Sequence, residues 1–352
     1  MTPKPRFERH PANPIVRPGR FPWRMAVTFN PGVIRDGGAF WLYERAAGGL
    51  RPFHCYIGLL RSDDGVRFEH VTDQPVFTPE MAGSRYGSVQ DPRVVKIGAR
   101  YYMTYAFRPY AWNCWPTGLG VPDAAQADYP GFDGNAEENQ TRSGIAVSDD
   151  RVHWRHLSWV SHGKPDDRDV ILFPEKIGGR YAVLRRPIGF VSTVAAHSDD
   201  RPCVRISYSD DLEAWTEPEI VLRPAFAWEN NRIGGSTPPI RIDEGWLIFY
   251  HGVETLDAAT RRVCYRMGAF IADAGDPRRI VARCPDFLME PEAYYEKAGL
   301  FIPNAIFPTA AVDVDGLLHV YYGACDTCIG LATAPLADVV RYVLETGRRG
   351  YV

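Results

Sequence analysis

The sequence predicts an all-β chain closed into a five-bladed β-propeller. Three observations carry that prediction: an aromatic hairpin motif recurs five times, a second motif follows each hairpin as a third strand, and helical periodicity is scarce. The chain has 352 residues, 45% hydrophobic and 12% aromatic, which is enough for a large buried core.

The aromatic segments are FWLYER at 40–45, YYMTY at 101–105, YAVL at 181–184, WLIFY at 246–250 and LHVYY at 318–322. A turn signal precedes each one: Asp36-Gly37-Gly38, Gly98-Ala99-Arg100, Gly178-Gly179, Glu244-Gly245 and Asp315-Gly316. An apolar alternating run precedes the turn, as at 92–97 and 239–242, so each unit reads as a β-hairpin. The third-strand motif is IGLLRSDD at 57–64, GIAVSDD at 144–150 and RISYSDD at 205–211, with weaker forms at 267–273 and 329–334. Ser-Asp-Asp caps a strand by bonding its own backbone, and Phe68, Trp154 and Trp215 close the turns that follow. A β-sandwich would not call for five similar units. One stretch, 336–344, has apolar residues at helical spacing. No linker rich in Gly, Pro or Ser divides the chain, so residues 1–352 are expected to form one propeller domain. A long polar insert at about 108–143 falls between two strands of the second blade.

Composition excludes several classes. Forty basic and 43 acidic residues give a formal charge of -3, with no basic stripe for nucleic acid. No apolar run approaches a membrane span, and the start MTPKPRFERHP has no apolar core of a secretory signal. Seven scattered cysteines suit a reducing, cytoplasmic setting. The Cys325–Cys328 pair reads as two buried thiols rather than a redox or zinc pair, since no second pair accompanies it. No metal cluster with ligand-like spacing is present, and no cofactor is expected.

Polar residues on innermost strands are the candidate site residues. Asp91 precedes Pro92, which locks the chain into an extended start of a strand and fixes the carboxylate's angle. Arg185 and Arg186 are adjacent on a strand, so at most one can face the axis. Arg45, Arg142, His251 and Asp326 stand at similar points of the repeat. Several arginines with few acids suit an anion or a polyhydroxylated ligand. Trp23, Tyr86, Trp112 and Trp115 could stack on sugar faces.

These segments together resemble glycoside hydrolase family 130, the β-mannoside phosphorylases and their hydrolytic relatives. The resemblance rests on Asn30-Pro31-Gly32-Val33, Asp91-Pro92-Arg93, LFPEK at 172–176 with Arg186-Pro187, and GGSTPPI at 234–240. Glu244-Gly245-Trp246, YHGV at 250–253, Pro303-Asn304, Phe307-Pro308-Thr309, Tyr322-Gly323-Ala324 and Asp326-Thr327 complete it across nearly the whole chain. It implies a five-bladed propeller that cleaves β-mannosides with inorganic phosphate as co-substrate, inverting to α-mannose 1-phosphate. Phosphate then replaces both the water and the second carboxylate of an ordinary inverting glycosidase.

The resemblance implies Asp91 as general acid, its proton passing through a sugar hydroxyl. It implies phosphate on Arg142, Lys176, Arg186 and His251, and sugar on Asn30, Arg45, Arg93, Tyr250 and Asp326. A raised pKa on Asp91 would suit its role. Where the family commonly has an acidic residue before Asp-Pro-Arg, this chain has Gln90. The basic residues kept at the matching positions favour phosphorolysis. An inverting hydrolase would instead need a second carboxylate, for which Glu44, Glu175 and Glu254 are the candidates, and a non-catalytic sugar-binding propeller would need no positioned acid. The partners implied are a mannose-containing oligosaccharide and phosphate, and a homo-oligomer is compatible with the resemblance. The insert is expected to shape the acceptor subsite.

Overall fold

A computed structural model describes residues 2–114, 124–135, 138–161, 166–188 and 202–348. Antiparallel sheets form five blades around an axis, as the repeat predicts. A short strand, β1 (Glu8–Arg9), comes first in sequence and is used last in space. Blade one is β2 (Val27–Asp36), β3 (Ala39–Ala47), β4 (Tyr56–Ser62) and β5 (Glu69–His70), counted outward. Blade two begins with β6 (Ser88–Ile97) and β7 (Arg100–Arg108). A two-stranded ribbon of β8 (Trp112–Cys114) and β9 (Ala124–Gln126) intervenes before β10 (Arg142–Ser148) and β11 (Arg155–Trp159) complete it.

Blade three is β12 (Asp166–Leu172), β13 (Tyr181–Ile188), β14 (Val204–Ser209) and β15 (Glu219–Leu222). In blade four the innermost strand is broken into β16 (Arg232–Gly235) and β17 (Ile240–Ile242), both paired with β18 (Gly245–Asp257), followed by β19 (Arg262–Ala272) and β20 (Ile280–Arg283). A one-turn helix, α1 (Tyr294–Lys297), leads to blade five: β21 (Ile306–Val314), β22 (Leu317–Ala324) and β23 (Cys328–Pro335). Helix α2 (Leu336–Thr346) follows at the place expected, whereas α1 is an element that periodicity over a single turn cannot reveal. The outermost strand of blade five is β1, pairing Glu8 with Thr333 and Arg9 with Ala332. Arg9 also bonds Glu296 at 2.8 Å, so the two ends of the ring are joined by a ladder and an ion pair.

Side chains alternate across each strand and fill the gaps between blades. Tyr43 and Leu59 meet Met103 and Tyr105 between blades one and two, and Leu172 meets Val147 between two and three. Ile206 meets Trp246 between three and four, Phe249 meets Tyr322 between four and five, and Leu42 meets Tyr321 between five and one. At roughly 1.5–3 kcal/mol for each large apolar side chain buried, these seams carry most of the stability. The Ser-Asp-Asp motifs cap the third strands in one geometry. Asp64 Oδ1 accepts from the Val66 and Arg67 amides, both at 2.8 Å. Asp150 and Asp211 repeat the arrangement with Val152 and His153, and with Glu213 and Ala214.

Candidate active site

The innermost strands kink where they pass the axis. Register slips between Phe29 and Gly32 in β2, Gln90 and Arg93 in β6, Arg168 and Ile171 in β12, and Pro308 and Ala310 in β21. Each slip is a bulge that leaves residues out of the ladder and re-aims them. In three bulges a non-glycine residue stands in the left-handed region: Asn30 (φ 46°), Asp91 (φ 52°) and Asp169 (φ 52°). Such conformations cost on the order of 1–3 kcal/mol and persist only where neighbours hold them. Here Thr309 Oγ1 donates to the Pro31 carbonyl at 2.7 Å, Thr104 Oγ1 to the Val170 carbonyl at 2.6 Å, and Arg93 Nε to the Ser236 carbonyl at 3.2 Å. The bulges turn polar groups into one cavity of about 230 Å³.

Asp91 lines this cavity. Its Oδ1 accepts from Asn30 Nδ2 at 2.8 Å and from Arg45 Nη1 at 2.9 Å. Its side chain keeps 16% exposure, so a ligand can reach it. Arg93 bonds the Asp91 carbonyl at 2.8 Å and lies behind the cavity wall. Burial pushes the Asp91 carboxyl up, but Arg45, Arg93 and the bond from Asn30 outweigh it and hold it below the ordinary carboxylate value. The raised value that would suit a general acid is therefore not found on Asp91. It belongs to Asp326, whose carboxyl burial lifts to about 7, with Arg45 opposing and Asp91 adding to the rise. Asp326 sits at the hairpin tip between β22 and β23, where Cys325 and Asp326 have φ 48° and 47°. The Thr327 amide closes that turn on the Ala324 carbonyl at 2.9 Å. Cys325 and Cys328 are free and buried.

Basic residues gather at the side made by blades three and four. Arg168, Arg186, Arg232 and His251 line the cavity with Asp169 and Tyr265. Arg186 Nε bonds Asp169 Oδ2 at 2.6 Å, and Arg232 bonds the Tyr265 hydroxyl. His251 Nε2 lies 3.6 Å from the same Asp169 oxygen. Gly234 lies against this group: a Cβ there would stand 2.8 Å from Arg186 Nε and collide with Asp169 and His251. Burial lowers the Arg232 guanidinium's pKa, with repulsion from Arg186 and Arg168 adding and Tyr265 and Asp169 opposing. Burial also takes the His251 imidazole down to about 3, against the pull of Asp169, so His251 is neutral and can offer an N–H without charge. The Asp169 carboxyl, which burial alone would raise, is held far below its ordinary value by Arg186, His251 and Arg93.

The cavity thus brings together Asp91, Arg45, Asn30, Asp326, Arg186 and His251 of the residues expected. Four others are placed differently. Arg142 begins β10, the third strand out from the axis, and is exposed. Lys176 is exposed in the turn between β12 and β13, where its ammonium stands 4.2 Å from the Tyr181 ring. Tyr250 points to the opposite face of β18 from His251, because side chains alternate, and bonds Glu229 at 2.7 Å inside the seam. Arg93 positions the Asp91 backbone without lining the cavity. Of the acids considered as a second carboxylate, Glu44 is sealed against Arg24 at 2.8 Å, Glu254 pairs with Arg266, and Glu175 is exposed in the β12–β13 turn.

Sequence reasoning missed Asp169, Arg168, Arg232, Arg108 and Tyr265, all cavity residues. Asp169 had a legible signal, since it matches Asn30 and Asp91 within the repeat. The others gave none, because a lone arginine in such a strand reads as a solvated charge and Tyr265 as one more strand aromatic. Trp112 lines the cavity with Arg108 stacked 3.8 Å above its ring, while Trp23 packs with His70 on an outer strand. Trp115 lies outside the described residues.

Residues 6–114 and 164–345 match a family model described as beta-1,4-mannooligosaccharide phosphorylase. A 1,2-beta-oligomannan phosphorylase of Thermoanaerobacter sp. (strain X514) is 34% identical over 323 residues, covering 90% of this chain and 93% of its own. A beta-1,4-mannooligosaccharide phosphorylase of Ruminococcus albus is 32% identical, covering 95% of this chain and 90% of its own. Among solved structures, the beta-1,2-mannobiose phosphorylase from Listeria innocua superposes with a TM-score of 0.72 over 96% of this chain and 99% of that one, at 23% identity. That likeness shows the fold.

Proposed function

The chain belongs to glycoside hydrolase family 130, and on that premise we propose that it is an inverting β-mannoside phosphorylase with Asp91 as general acid. The observation that carries this reading is the separation of charge in the cavity. Arg168, Arg186 and Arg232 crowd in from blades three and four, and Asp91 stands on blade two beside Arg45. Crowded guanidinium groups that repel one another favour an anion between them. Phosphate there would attack the anomeric carbon from one side while the acceptor leaves on the other, past Asp91. The C1–O bond to the acceptor breaks, a C1–O bond to phosphate forms, and a sugar hydroxyl passes its proton to the departing oxygen while taking the one Asp91 gives up.

Asp91 is ionised in the resting site, so it needs a reason to take a proton. Phosphate supplies one. Its charge offsets the arginine field that depresses the Asp91 pKa, so the loaded site favours the protonated acid. In the reverse direction the ionised form is ready to act as base. Arg45, Asn30 and Asp326 surround Asp91 with donors and acceptors suited to mannose hydroxyls. Hydrolysis would require a free carboxylate to activate water. Asp169 is tied to Arg186 at 2.6 Å, and burial of Asp326 favours its neutral form, so phosphorolysis is the better supported chemistry.

The acid assignment is tested with Asp91→Asn. The amide keeps the hydrogen bond to Arg45 feasible only through its oxygen and cannot donate the catalytic proton. Turnover of β-mannobiose should fall by about three orders of magnitude or more, with mannobiose still bound. Near-normal turnover in a folded variant rules the assignment out.

A further inference from the structure

Half-exposed rings gather outside the cavity, on loops of blades one and two and on the insert. Tyr110 stacks on Phe132 with centroids 4.1 Å apart, and Tyr129 lies 5.1 Å from Tyr86 and 5.6 Å from Tyr110. The Tyr129 hydroxyl meets His54 Nε2 at 3.4 Å, which ties the insert to blade one. This cluster is continuous with the cavity. Phe53, Ser88 and Trp112 line the cavity, and His54, Tyr86 and Tyr110 lie one or two residues away from them along the chain. The Ala111 amide bonds the Tyr86 carbonyl at 2.8 Å, which ties the two loops together.

We propose that this cluster is an acceptor-side platform that holds the sugars beyond the cleaved bond when the substrate is a mannotrisaccharide or longer. The inference rests on the phosphorylase reading for its direction. Inversion places the acceptor opposite the nucleophile, and the proposed phosphate-binding arginines Arg168, Arg186 and Arg232 come from blades three and four while the rings come from blades one and two, beside Arg45 and Arg108. Its chemistry stands independently. Pyranose rings present flat C–H faces, which pack on aromatic faces, and the tyrosine hydroxyls and His54 supply hydrogen bonds at the edge. The fit is to a neutral polyhydroxylated chain: Tyr86, Tyr110, Tyr129 and Phe132 are uncharged rings, and the Arg85 guanidinium stands 4.8 Å from the Tyr86 ring.

The test compares wild type with Tyr86→Ala and Phe132→Ala on mannobiose and mannotetraose, in both β-1,2- and β-1,4-linked series. Loss of a stacked ring should lower kcat/KM for tetraose about tenfold more than for biose. Calorimetric binding of the same sugars to Asp91→Asn, alone and combined with Tyr86→Ala, reads the platform without turnover. Weaker tetraose binding with a smaller change for biose supports the platform even if wild type proves not to be a phosphorylase. Equal effects on biose and tetraose in both measurements overturn it. So does a change in sedimentation state with an unaltered tetraose-to-biose ratio, which would make the cluster a contact between copies of this chain.

Discussion

Arg45 Nη1 meets Asp91 Oδ1 at 2.9 Å, and this pairing does more than any other to decide the charge on the proposed acid. Asn30 donates to the same oxygen at 2.8 Å, so the carboxylate is held by one edge while Oδ2 remains available to substrate. The arrangement has measurable consequences.

Replacing Arg45 with Gln removes the strongest lowering influence on Asp91, so its pKa must rise. Phosphorolysis requires protonated Asp91, and the falling alkaline limb of kcat/KM is expected to move to higher pH. Synthesis from mannose 1-phosphate requires the ionised base, and its acid limb should move the same way. Profiles measured in both directions check this. An unmoved pair of limbs in an active variant contradicts the assigned coupling.

Arg232→Gln removes one cation from the cluster on blades three and four. A charge-assisted hydrogen bond contributes about 1.5–3 kcal/mol, so KM for phosphate should rise roughly tenfold to a hundredfold. KM for the mannoside should change far less. Initial rates over a grid of both substrates separate the two, and an equal shift in both would remove Arg232 from the phosphate site.

Asp326 carries a folded-state pKa of about 7 against an ordinary value of 3.8. The native state therefore binds the proton more tightly, and stability is lost as pH rises from about 4 through 7. Asp326→Asn abolishes that titration, and Asn tolerates the left-handed turn position equally well. The variant should gain in Tm relative to wild type at pH 8 and show little gain at pH 5. A difference independent of pH would count against a neutral buried Asp326.

Gly234→Ala places a methyl group 2.8 Å from Arg186 Nε, in the packed contact with Asp169 and His251. Overpacking of this kind costs about 1–3 kcal/mol. Tm should fall, and phosphate KM should rise with it because Arg186 must shift. Unchanged phosphate kinetics would mean that the Asp169–Arg186 pair does not orient the anion.

The fold was legible because its unit is local. A turn, an aromatic strand and a Ser-Asp-Asp cap recur, and each follows from short-range chemistry such as the Asp64, Asp150 and Asp211 turns. Asp91 stood out through its Asp-Pro-Arg motif taken together with the family resemblance, since the motif alone also reads as a turn at a strand start. The basic cluster was only half legible. Arg186 and His251 stand in motifs, but Arg168 and Arg232 reach the cavity only because bulges and blade curvature bring them there. Lys176 and Tyr250 were misplaced for complementary reasons. The first lies beyond the strand, in the hairpin turn, and the second is one residue out of phase with the cavity face. The Asp91 charge state could not be read at all, since it depends on Arg45 from another blade.

The most direct test of phosphate as nucleophile is the product formed from β-mannobiose with and without inorganic phosphate, followed by phosphorus and proton NMR. The expected result is α-mannose 1-phosphate in the presence of phosphate, with cleavage falling to background when phosphate is removed. Free mannose released at full rate in phosphate-free buffer would contradict it and make the enzyme a hydrolase.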